Sequence, residues 1–296
     1  MPAIVNMTTE QKIKRQKFKF GIIGFTVTFC ILLALCTAQI LFKYKEDIFT
    51  KNLDTFVFIK ITLLFLLSSV TLSLPPGILV GTTLYYRQIC RQAQIIKIRT
   101  SIIFSVSIAI ISFAWIAFIA PINNLHMMSL LFDIREKFPD KPLMRSDLSL
   151  FSGSSMTSNY YQLDHVIDSL KRITSKQNDN NLFLINQYNS KQILKFQIER
   201  VSMISFPIFV FILFYLGMFL GILNRKNKLI LLISGFYFVI IPGIYFLSVY
   251  LKSLVKESTL TPFLWQFIFL SAITVLTIIA YIVTSRLEKT HKNYCW

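Results

Sequence analysis

Apolar residues run through this chain in six long blocks: Phe20–Phe42, Phe56–Leu79, Ser101–Ala120, Val201–Leu223, Leu229–Leu251 and Pro262–Val283. Lys60 is the only Asp, Glu, Lys, Arg or His inside them. A helix rising ~1.5 Å per residue needs about 20 apolar residues to cross a hydrocarbon core ~30 Å thick. Barrel strands are about half that length and alternate apolar with polar. These blocks are long and apolar all round, so the pattern predicts helices. The first block is too long for the apolar core of a cleaved signal peptide. It also has the bulky Leu35 where a lipoprotein cleavage box needs a small residue. It is expected to be a retained span.

A polar region, 122–200, separates the third block from the fourth. Ile122, Leu125, Met128 and Leu131 recur at helical spacing, which extends the third helix to about Phe138. Arg145–Phe151 alternates like a strand. Leu163, Val166, Ile167 and Leu170 form one face of a short helix, Gln177–Asn181 is a polar loop, and Leu182–Tyr188 reads as another strand. The expected fold is an all-α polytopic membrane protein. It has six transmembrane helices in a 3+3 arrangement and a small mixed α/β periplasmic insert between helices 3 and 4. Its expected parts are 1–121, 122–200 and 201–296.

Composition agrees, with 54% hydrophobic and 15% charged residues, against about 25% charged in soluble domains. The net charge of +17 would suit nucleic acid if it formed one basic patch. Instead it is sorted by connection. Lys12, Lys14, Arg15, Lys17 and Lys19 precede the first block. Arg87, Arg91, Lys97 and Arg99 lie after the second, and Arg225, Lys226 and Lys228 after the fourth. Arg286, Lys289 and Lys292 follow the sixth. The alternate connections are nearly neutral: Lys43, Lys45 and Lys51 face Glu46, Asp47 and Asp54, and 122–200 holds ten basic and eight acidic residues. The positive-inside rule then places both termini in the cytoplasm and the insert outside. No nucleic-acid partner is expected.

Catalytic chemistry is absent by motif. There is no Gly-Lys dipeptide, hence no Walker A loop, and no H-E-x-x-H or G-x-S-x-G. His126, His165 and His291 are scattered. Cys30, Cys36, Cys90 and Cys295 lack metal-ligand spacing. No catalytic residue, metal or cofactor is expected, and intramembrane chemistry would need ionisable residues that the blocks lack. Any ATP-driven motion has to enter through a cytoplasmic surface. Arg87–Ser101 is the candidate, with Ile95, Ile98 and Ile102 lining one face of a short helix and Gln94, Lys97 and Arg99 around it.

Several segments resemble the LptF/LptG (YjgP/YjgQ) family of lipopolysaccharide export permeases. One runs from Leu74-Pro75 through Gly81 to Gln94-Ile95-Ile96-Lys97-Ile98-Arg99-Thr100-Ser101, similar to the family's cytoplasmic coupling stretch. Others are Met156-Thr157 with Leu163, Ile167 and Leu170, then Glu199 through Pro207 to Leu220-Gly221, and Pro262 with Trp265. Their order and spacing, rather than any single motif, carry the resemblance over nearly the whole chain.

The resemblance implies an ABC transporter permease in the bacterial inner membrane, serving lipid export and outer membrane biogenesis. Its implied partners are two copies of an LptB-like cytoplasmic ATPase, a second LptF/LptG-type subunit, an LptC-like periplasmic bridge, and lipopolysaccharide or a related lipid. ATP hydrolysis would belong to the ATPase, so this chain is not itself an enzyme. Arg91, Gln94, Ile95, Lys97, Ile98 and Arg99 would meet the ATPase, and Lys43 and Lys45 would meet lipid phosphates. Helix-end snorkelling explains those two lysines equally well. The chain departs from the family at Gln94, where the family has Glu, and at Ile102, where it has Gly. Phe138–Ser155 also has room for only one or two strands of a jellyroll that normally has eight. Two other readings stay open: export of another lipidated cargo such as a lipoprotein, or a non-transporting scaffold or sensor.

Overall fold

The computed structural model describes residues 2–43, 54–91, 98–137, 183–223 and 261–291, together with most of 243–255. Among the described residues the backbone is almost entirely helical and contains no strand. The helices are α1 (Pro2–Lys43), α2 (Thr55–Arg91), α3 (Ile98–Ala114), α4 (Ala120–Lys137), α5 (Phe183–Leu223) and α6 (Pro262–His291). A π-helical turn, Trp115–Ile119, joins α3 to α4 as one continuous rod. Five stretches are long and apolar enough to cross a bilayer: Lys19–Phe42, Thr55–Arg91, Arg99–Met127, Phe196–Leu223 and Pro262–Arg286. The protein is a membrane-embedded helical bundle.

Local chemistry explains the element ends. The Asp54 carbonyl accepts the amide of Phe58 at 3.0 Å and opens α2. At the start of α6, the Thr261 hydroxyl accepts the Leu264 amide at 3.3 Å. Pro262 takes the first helical position, where its missing N–H costs nothing. The π turn has a cause in Pro121, which lacks an N–H and whose ring would strike the carbonyl four residues back. The turn widens, and the Ala120 amide bonds to the Trp115 carbonyl.

Two expectations change. The segment Phe183–Tyr188 is helical rather than a strand and forms the first turns of α5. A short apolar run does not distinguish the two states by itself, and here it continues into a long helix. The second helix also runs past Leu79 to Arg91 through Pro75 and Pro76. Arg87 and Arg91 are therefore helical residues rather than loop residues. The extension of the third helix reaches Lys137 as its periodicity predicts. Arg145–Phe151, Leu163–Leu170 and 177–181 lie outside the described residues, as does most of Leu229–Leu251. The described positions of 243–255 are helical, with Leu251 and Val255 buried.

Contacts set the direction of each helix. Gly21 of α1 faces Tyr85 and Gly81 of α2, while Thr37 bonds Ser69 further along, so α1 and α2 are antiparallel. Gly217 and Gly221 of α5 meet Leu79–Thr83 and Tyr86–Arg87 of α2, in parallel. Ring pairs Phe209–Phe269 and Phe219–Tyr281 align α6 parallel to α5. The main core joins Ile78, Leu79 and Tyr86 of α2 to Val210, Phe214 and Leu216 of α5 and to Trp265 and Ile273 of α6. A smaller core joins Ile61 and Phe65 of α2 to Met127 of α4.

Candidate functional site

Helix directions gather one end of the bundle from the start of α1, the end of α2, the start of α3 and the ends of α5 and α6. This end is basic. Lys19, Arg91, Arg99 and Arg286 are exposed on it, and Arg87 is half-buried. Lys12, Lys14, Arg15 and Lys17 lie in the preceding turns of α1, with Glu10 and Glu288 as the acids of α1 and α6. The opposite end is mixed, carrying Asp54, Lys60, Glu199 and Arg200.

Of the residues expected to couple to a partner, Arg91 closes α2 and Arg99 sits in the first turn of α3, both exposed. Ile98 opens α3, and Ile102 is exposed one turn later. These two belong to a long membrane helix rather than to a separate short one. Gln94, Ile95 and Lys97 lie outside the described residues. Lys43 is the last residue of α1, at the opposite end, and Lys45 lies outside the described residues.

What sequence reasoning missed is how that basic end is tied down. The Tyr86 hydroxyl donates to Ser101 Oγ at 2.7 Å, one turn inside the α2–α3 connection. Tyr86 packs edge-on against Phe214 of α5, with ring centroids 6.0 Å apart, and Phe104 of α3 packs on the same ring. Ser105 Oγ donates to the Tyr215 hydroxyl at 3.4 Å. A Cβ on Gly221 would lie 2.5 Å from the Thr83 carbonyl and 3.0 Å from the Arg87 amide, so α5 touches the α2 backbone directly. Small residues allow such approach, and in lipid close packing is what joins helices. Arg91 and Arg99 thus stand at the ends of two helices that are held to each other and to α5 by close contacts. The Gly77/Gly81 and Gly217/Gly221 spacings were the available signal for this packing.

A second polar cluster lies towards the opposite end. Asn123 Nδ2 donates to the Leu64 carbonyl at 3.0 Å and to Ser68 Oγ at 2.8 Å, and Ser68 Oγ donates to Asn124 Oδ1 at 3.0 Å. Asn123 Oδ1 is buried without a hydrogen-bond partner. Amides that bond across helices act as glue in a bilayer. Among the described residues, no group of His, Cys, Asp and Glu is arranged to hold a metal ion.

No family model, curated protein or solved structure matches this chain.

Proposed function

We propose that this chain is a permease subunit of an ABC-type transporter that extracts lipopolysaccharide, or a related lipid, from the inner membrane for export to the outer membrane. The observation that carries the reading is the exposed pair Arg91 and Arg99 flanking the α2–α3 connection, at an end bonded through Tyr86–Ser101 to the main core. A separate cytoplasmic ATPase, LptB-like and in two copies, would seat against this connection and move α3, α5 and the Arg91 end of α2 together. The chain has no nucleotide-binding motif, so the energy has to come from such a partner.

Six spans are favoured over five by the parallel sense of α5 and α6. A chain that leaves α5 at one end and enters α6 at the other has to return across the membrane between them, and Leu229–Leu251 is apolar enough to do so. The clustering of basic residues at one end supports cytoplasmic termini. Lys43, which closes α1 at the other end, and Lys45 would then meet lipid phosphates at the outer interface, each contributing on the order of 1 kcal/mol. A second LptF/LptG-type subunit and an LptC-like bridge complete the proposed assembly. The short Phe138–Ser155 stretch favours a second reading, in which the same architecture exports another lipidated cargo.

The double variant Ile95→Asp with Ile98→Asp tests the coupling surface. It is expected to insert normally and to lose the copurifying ATPase or its lipid-stimulated activity. A variant that keeps an active, bound ATPase contradicts the proposal.

A further inference from the structure

The two apolar cores share no residue. The smaller consists of Ile61, Phe65 and Met127, with Ile40 and Leu41 of α1 packed on it. Every other described span feeds the larger. Helix α1 runs unbroken from Phe25 on the larger to Ile40 on the smaller, whereas two other rods that connect them are each interrupted on the way. Helix α2 passes between Phe65 and Ile78, and Pro75 and Pro76 stand there. The α3–α4 rod passes between Ile108 and Met127, where the π turn and Pro121 stand. Both breaks lie at one depth, because Trp115 Nε1 in the π turn donates to Thr71 Oγ1 at 3.3 Å. Thr71 is also the residue whose carbonyl Pro75 leaves without its usual amide donor. Equal steps from the Ser105–Tyr215 pair bring Trp115 level with Ser205, within ~3 Å of rise of Pro207 on α5.

We infer that this layer is a hinge, on which a lobe made of the outer halves of α1 and α2 with α4 pivots against a body of α5, α6 and the inner half of α2. Proline and π turns interrupt the i→i−4 ladder, so bending is concentrated there. Each side is stiff by a different means. On the body side, added Cβ atoms at Gly217 and Gly221 would strike α2, which leaves no room for sliding. On the lobe side, Thr37–Ser69, Ser68–Asn124 and Asn123–Leu64 fix α1, α2 and α4 to one another by directional bonds. Helix α1 has no break and follows by gentle curvature. A bend of ~20° at Pro75 moves Ile59, about 24 Å of helix away, by ~8 Å. This pivot does not depend on what the protein carries.

The test is a pair of distance distributions from double electron–electron resonance, on the full chain in lipid nanodiscs with the native cysteines replaced. Spin labels at Ile59→Cys and Phe263→Cys, both exposed, report across the hinge. Labels at Lys19→Cys and Val283→Cys, both exposed, report on the basic end. The outer distribution is expected to be at least about twice as wide as the inner, given the ~20° bends such breaks allow. Replacing Pro75 and Pro76 with Ala should narrow the outer distribution and leave the inner unchanged. Equal widths in the parent protein overturn the inference, whether or not the proline variant folds. So does an outer distribution that keeps its width after proline replacement.

Discussion

The glycine contact between α5 and α2 offers a sharp test of the bundle's packing. Gly217 on α5 lies so near α2 that a built Cβ would overlap Thr82 Oγ1 and sit 2.7 Å from the Leu79 carbonyl and 3.2 Å from Thr82 Cβ. Thr82 cannot simply turn away, because its hydroxyl bonds the Ile78 carbonyl at 2.8 Å and the Leu79 carbonyl at 3.0 Å. Gly217→Ala therefore forces the two helices apart at the centre of the main core. Overpacking of this kind costs about 1–3 kcal/mol, or roughly 5- to 150-fold in the folding equilibrium. Steric trapping or detergent-induced unfolding of the reconstituted protein would read that loss. Gly243→Ala is the control, since among the described residues nothing lies within 4 Å of its added methyl. Adding Thr82→Ala to Gly217→Ala should recover part of the stability and not all of it, because the Leu79 carbonyl still opposes the methyl. The reasoning is refuted if Gly217→Ala matches Gly243→Ala in stability.

Three smaller perturbations probe other parts of the account. Tyr86→Phe removes the bond to Ser101 and should lower stability by about 0.6 kcal/mol, the average for such bonds between membrane helices; an unchanged unfolding midpoint would count against that tie. Asn123→Ala removes two donors at once and should cost about 1 kcal/mol, below the ~1.7 kcal/mol upper end for such bonds. No loss in the same unfolding assay would mean that α4 is held to α2 by packing alone. An impermeant thiol reagent applied to spheroplasts should miss Cys295 and label Asn178→Cys, because the basic connections stay inside. Labelling of Cys295 would reverse the orientation.

Five of the spans were legible because long charge-poor blocks have only one physical home. The length of α2 was hidden. The second apolar block ends at Leu79, and Thr82, Thr83, Tyr86 and Arg87 fall in the polar connection after it. In the bundle the Thr82, Thr83 and Tyr86 side chains bond within α2 or across to α3, and the helix continues to Arg91. Leu182–Tyr188 was misread as a strand because a short apolar run carries no period of its own. Arg91 and Arg99 stood out as charges, but their attachment to the core did not. That attachment depends on Tyr86, Ser101 and Phe214, which meet only once three helices are packed. Asn123 gave no signal as one amide among many polar residues after Pro121, until α4 was set beside Leu64 and Ser68.

The central claim is that this chain is the membrane half of an ATP-driven lipid extractor. Mild purification of the full chain from its native membrane, with mass spectrometry of the proteins and lipids that come with it, tests this most directly. The account predicts a cytoplasmic ABC ATPase, a second six-span permease, and lipopolysaccharide or a related lipid enriched over the bulk membrane. Recovery of the chain alone, with lipids in bulk proportion and no ATPase, would contradict it.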